Sequence, residues 1–213
     1  MGVLGRSLLS SFPPCDLHSL ALASGVIAAS AGCGPRSPAR EAGPQVAVSH
    51  VAPPRGTVLE QACTPTGPEL CFNAIDDNCN GVIDEGCGAQ TGLLQFIIAW
   101  GSSPADVNLV VATPGGERVP DGRNRSTPSG FHLDRDCPSD DGCRGQNTEN
   151  VYFDGTDVPR GHYVVEVTLD ALNGAETPVN VRLGARLGSR SVGFPLELSP
   201  GDSARERLEF DVP

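Results

Sequence analysis

From Gly92 onward the chain alternates apolar and polar residues with period two. Tyr163, Val165, Val167 and Leu169 interleave with Val164, Glu166, Thr168 and Asp170, and Val179, Val181, Leu183 and Ala185 interleave with Asn180, Arg182, Gly184 and Arg186. Such alternation marks antiparallel strands buried on one face. Val192, Phe194, Leu196 and Leu198 form another apolar face, as do Leu208, Phe210 and Val212. Leu93 to Trp100 is apolar on both faces, which predicts a central strand. Shorter strands are expected near Val107 to Ala112 and Val151 to Phe153. With Gly and Pro turns between them, about seven to nine strands predict an all-β fold, an antiparallel β-sandwich over residues 90–213. A stretch of roughly 120 residues is long enough to bury its own core without help from a metal.

The first third of the chain lacks that pattern. Leu20 to Ala31 is an apolar run too short to span a bilayer as a helix and suited to the core of a signal peptide. Ser30-Ala31-Gly32-Cys33 resembles a bacterial lipoprotein cleavage box, with Ser30 where Leu is usual. The resemblance implies a signal at 1–32, lipidation of Cys33 and attachment to the outer membrane or cell surface. Ordinary cleavage near Ala31 would instead give a secreted or periplasmic protein. Residues 33–61 are rich in Pro, Ala and Gly without periodicity and read as a disordered tether.

Composition narrows the chemistry. The basic residues are all Arg, so a P-loop lysine and a Schiff-base lysine are excluded. From Gly56 to Glu117 there are eight acidic residues and no basic one, which disfavours nucleic acid and favours cations. With Cys15 removed and Cys33 lipidated, Cys63, Cys71, Cys79, Cys87, Cys137 and Cys143 remain, an even set that predicts disulfides in an exported chain. Cys137 and Cys143 are close enough to pair locally. The other four can pair in three ways, of which Cys71 with Cys79 and Cys63 with Cys87 is the expectation.

Residues 62–89 hold the most specific signal. Asp76-x-Asn78-x-Asn80-Gly81 matches the first half of an EF-hand calcium loop. Calcium takes six to eight hard oxygen ligands, and alternate residues of a tight loop supply them while Gly at the sixth position makes the bend. The expected ligands are Asp76, Asn78, Asn80, the Val82 carbonyl, Asp84 and Glu85, with Asp77 pointing outward. Cys87 stands where an EF-hand has a bidentate Glu, and Glu85 replaces it.

The segment from Glu69 to Cys87, with Cys71, Asp76-Asp77-Asn78-Cys79-Asn80-Gly81 and Asp84-Glu85, resembles the metal-binding motif of MopE-type bacterial surface proteins. That name evokes copper, but copper selects thiolate, thioether or imidazole, and the segment has no His or Met. Zinc on Cys63, Cys71, Cys79 and Cys87 is the rival, weakened by equal gaps in place of C-x2-C pairs and by an oxidising destination. Calcium fits best.

The sandwich resembles a YfaP-like secreted β-sandwich domain of unknown function. The resemblance is carried by Ala105 to Val110 followed by Pro114-Gly115-Gly116, by Leu133-Asp134-Arg135-Asp136, by Glu149-Asn150-Val151 and by Gly161 to Val167. It implies no catalytic residue. Asp134 and Asp136 stand at strand spacing, which puts both on one face. With Glu149 they are candidates for a second metal site, set against a solvated loop that uses Arg135 and Arg144. No H-E-x-x-H, G-x-S-x-G or phosphate loop is present. The sequence therefore predicts a non-catalytic binding or adhesion module with structural calcium. Its partners would be the membrane, through its lipid, and an unidentified surface protein or glycan, with no nucleic acid. A metal-scavenging surface protein and a secreted hydrolase are the alternatives.

Overall fold

The alternating segments become strands in the computed structural model, which describes residues 50–52 and 67–213. In chain order the strands are β1 (His50–Ala52), β2 (Leu94–Ala99), β3 (Asp106–Ala112), β4 (Arg118–Val119), β5 (Phe131–Asp136), β6 (Thr148–Phe153), β7 (Gly161–Ala171), β8 (Val179–Leu187), β9 (Arg190–Leu198) and β10 (Arg205–Val212). They form two five-stranded antiparallel sheets, one in the order β1-β10-β7-β3-β4 and the other β5-β6-β2-β8-β9. Among the described residues there is no helix, hence none long and apolar enough to cross a membrane.

The inner faces interdigitate. Phe96 on β2 meets Phe210 on β10 with ring centroids 5.5 Å apart, and Tyr163 on β7 stacks on Phe210 at 4.9 Å. Tyr163 is fully buried, yet its hydroxyl donates to the Pro159 carbonyl at 2.6 Å, so its polar end is satisfied. Trp100 Nε1 likewise donates to the Ala105 carbonyl at 2.9 Å.

The doubly apolar β2 has a specific cause. Leu94, Phe96 and Ile98 face the sandwich core, whereas Ile97 and Ala99 lie on the outer face in a second cluster with Ala74 and Ile83. The cysteine motif therefore covers the outside of this sheet. Burial of Ile83 and Ile97 contributes about 2 kcal/mol each.

The expected tether is corrected at one place. Residues 50–52 pair antiparallel with β10, His50 opposite Asp211 and Ala52 opposite Glu209, and extend that sheet by one strand. A three-residue strand is too short to show periodicity, and β10 otherwise offers an unpaired edge. The signal segment 1–32, Cys33, Cys63 and the rest of the tether lie outside the described residues.

Candidate metal centre

The loop is shaped by its own polar side chains. Asn78 Oδ1 accepts from the Asn80 N–H at 3.1 Å, and Asn80 Oδ1 accepts from the Val82 N–H at 2.8 Å. These are successive side-chain-to-backbone turns. Asp76 Oδ1 accepts from the Asn80 N–H at 3.0 Å, and its Oδ2 accepts from the Gly81 N–H at 2.8 Å, so the carboxylate spans the bend. Gly81 has a φ of 85°. A Cβ there would also lie 2.3 Å from the Ser189 carbonyl oxygen, so only glycine fits.

Glu85 closes the ring of expected ligands. Its Oε1 accepts from Asn78 Nδ2 at 2.6 Å and also from Asn80 Nδ2. Its Oε2 is buried with no hydrogen-bond partner among the described residues, a free acceptor on the carboxylate that two amides hold. Asp76, Asn78, Asn80 and Glu85 are thus joined in one hydrogen-bonded loop, and Val82 in the same loop is half-buried. Asp77 turns away, accepting from the Leu70 N–H at 3.1 Å and Asn73 Nδ2 at 3.0 Å.

Asp84 departs from the expected ligand set. It is fully buried with φ 53°, and its carboxylate points away from the loop centre. Oδ1 accepts from the N–H groups of Phe72 at 2.6 Å and Asn73 at 3.3 Å, while Oδ2 accepts from Ala74 at 3.3 Å. Phe72 and Ala74 both have positive φ, a conformation that leaves consecutive N–H groups pointing one way. Asp84 is the anion that fills this nest. Burial raises its pKa to about 6 against the lowering effect of the three amides.

Sequence spacing overlooked Glu69. Its Oε1 accepts from the Asp84 N–H at 2.9 Å, and its Oε2 is buried without a hydrogen-bond partner. Burial pushes its pKa up to about 7 against the Asp84 amide, and nearby Glu85, Asp77 and Asp76 add to the rise. No loop template includes a residue two places before Cys71, so only its presence within the motif marks it.

One of the three expected disulfides forms, and a bond between Cys71 and Cys87 excludes both Cys71–Cys79 and Cys63–Cys87. Cys137 pairs with Cys143 as anticipated, with a Cα separation of 5.5 Å. Cys71 pairs with Cys87 instead of Cys79, and Cys79 is itself disulfide-bonded. The bond closes the loop at its two ends. None of Cys71, Cys79 and Cys87 is therefore a free thiolate for copper or zinc. Among the described residues no three His, Cys, Asp or Glu side chains converge on one point. The loop instead joins two carboxylates to amide and backbone oxygens, a donor set for a hard cation.

The second candidate set is not assembled. In the pairing of β5 with β6 the register shifts between Leu133 and Arg135, so a bulge turns Asp136 to the inner face and leaves Asp134 on the outer. There its Oδ2 accepts from the Gln90 N–H at 3.0 Å and Asn150 Nδ2 at 3.1 Å. Asp136 lies opposite Glu149 on the other side of the sheet. The arginine that offsets the acids is Arg125, which donates twice to Asp140 at 2.8 Å and stands 3.8 Å from Asp136. Arg135 instead stacks over Phe72 at 4.7 Å and donates to the Gly88 carbonyl, holding the motif to the sheet.

A hydrogen-bonded acidic loop, stapled by a disulfide and seated on a β-sandwich, defines a metal-binding module. Residues 60–85 match the copper-binding MopE family model, described as "Putative metal-binding motif". No curated protein and no solved structure matches the chain.

Proposed function

We propose that this protein is a non-catalytic binding or adhesion module of the outer membrane or cell surface, anchored through lipid on Cys33. In this reading a calcium ion braces its sandwich. Asp76, Asn78, Asn80, the Val82 carbonyl and Glu85 hold the ion, while Asp84 shapes the loop from behind. The carrying observation is the fusion of loop and sheet: Ala74 and Ile83 are buried against Ile97 and Ala99, so ordering the loop also orders the outer face of the sandwich. Oxygen donors select calcium, and two carboxylates in an extracellular setting suggest a dissociation constant on the order of 10⁻⁴ to 10⁻³ M.

Calorimetry on the full chain tests the site. Calcium heat is expected in the unsubstituted protein and its loss in Asp76→Ala; equal heat in both would sink the assignment. Chelation should also lower the melting midpoint and protease resistance together. Reversible metal release with the midpoint unchanged would mark a scavenger instead. Anchoring has its own test: Cys33→Ala should move the protein from the membrane fraction to the soluble one, and retention in the membrane would refute lipidation.

A further inference from the structure

The outer face of the sheet contributes more than a platform. Gln95 on β2, Arg186 on β8 and Ser191 on β9 stand opposite one another in one row across three strands. Ile97, Gly184 and Gly193 form the neighbouring row. The motif lies over both. Gln95 Nε2 donates to the Ile83 carbonyl at 3.4 Å, and a Cβ at Gly184 would lie 2.4 Å from the Ala74 carbonyl oxygen. Ser191 Oγ donates to Asp76 Oδ2 at 2.6 Å, although the two residues are 115 positions apart.

The lone pairs of Asp76 show what that bond does. Oδ2 has two in its carboxylate plane, and the Gly81 N–H and the Ser191 hydroxyl fill both. Among the described residues Oδ1 accepts only the Asn80 N–H, which leaves it one lone pair for a cation. Without Ser191 the carboxylate has a free lone pair on the wrong oxygen and one donor fewer to hold its orientation. Arg186 does not supply that donor. Its guanidinium, near Asp76 and Glu85, donates to the Gly188 carbonyl at 2.9 Å and Thr91 Oγ1 at 2.7 Å.

We infer that Ser191 is a positioning residue for the metal site: the β8–β9 hairpin of the sandwich fixes the Asp76 carboxylate from outside the motif, so the site is complete only on the sheet. This inference rests on the calcium reading above. Partners of metal ligands that act in this way change affinity by about 10- to 100-fold when removed.

The test is calcium calorimetry on the full chain bearing Ser191→Ala or Ser191→Thr, with melting in chelator as the control for folding. The expected result is calcium affinity weakened about 10-fold in Ser191→Ala and restored to within about twofold of the unsubstituted protein in Ser191→Thr, which keeps the hydroxyl. Midpoints in chelator should stay equal. Unchanged affinity in Ser191→Ala would overturn the inference alone, as would equal loss in Ser191→Thr, which would mark a packing defect. Absence of calcium binding in the unsubstituted protein would overturn the calcium reading and this inference with it.

Discussion

Asp84→Ala is expected to unfold the stapled loop while leaving the sandwich folded, and to do so even when chelator has removed all metal. The carboxylate accepts three consecutive backbone N–H groups, from Phe72, Asn73 and Ala74. The Ala74 bond is buried and those of Phe72 and Asn73 are half-buried; a buried donor left without a partner costs about 1–3 kcal/mol, so the local loss is roughly 2 kcal/mol. Alanine supplies no acceptor, and the left-handed backbone of Phe72 and Ala74 then has nothing to hold it. The Cys71–Cys87 bond survives, so the loop should stay tethered but exchange its amides freely. Hydrogen exchange in chelator, read at residues 70–87, decides the matter: faster exchange is expected in Asp84→Ala, with the β7 and β8 amides still protected. If Asp84 were only a ligand, exchange in chelator would not change.

The contrast between Asp84 and its neighbours shows how much the sequence can carry. Loop spacing marked Asp76, Asn78, Asn80 and Glu85 as neighbours, because the bend at Gly81 brings them into one hydrogen-bonded loop. Spacing names positions and not side-chain directions, so it could not place Asp84, whose direction follows from positive φ values at Phe72 and Ala74. The strands were legible for a similar reason, since a half-buried strand needs alternation, which β7 keeps from His162 to Asp170 and β8 from Val179 to Leu183. The double burial of β2 was legible as well, though not its cause, because only packing brings Ala74 and Ile83 onto Ile97. Asp134 and Asp136 failed through one extra residue: a bulge inverts every side-chain direction beyond it, and nothing in Leu133-Asp134-Arg135-Asp136 announces one. The pairing expected within the motif failed because equal gaps favour no partner, while the short gap from Cys137 to Cys143 left one choice. β1 was hidden because three residues carry no period.

The bulge has an energetic consequence at Glu149, and Glu149→Gln is expected to stabilise the protein at neutral and alkaline pH. Glu149 is only 2% exposed and lies on the inner side of β6, with Asp136 opposite. Its Oε2 accepts from the Leu109 N–H at 2.7 Å, on a stretch of β3 that β4 does not reach, since β4 pairs only with Val111 and Ala112. The carboxyl thus caps an open sheet edge, but burial raises its pKa well above the ordinary 4.5 against the lowering effect of that amide, and Asp136 and Asp106 add to the rise. Arg125 is near but already engaged with Asp140. Because the native state holds this proton more tightly than the unfolded chain, the contribution to stability is greatest below about 4.5 and falls as pH rises from there toward the raised native value. Glutamine keeps the acceptor for Leu109 and carries no charge to bury. At pH 8 it should gain ~2 kcal/mol, the scale of an uncompensated buried ion, or about 5 °C in melting midpoint for a domain of this size. At pH 4 the two proteins should melt together. Thermal melts of both across pH 4 to 8 measure this directly, and parallel curves, or a Gln variant less stable at pH 8, would show that Glu149 is not the group that sets the slope.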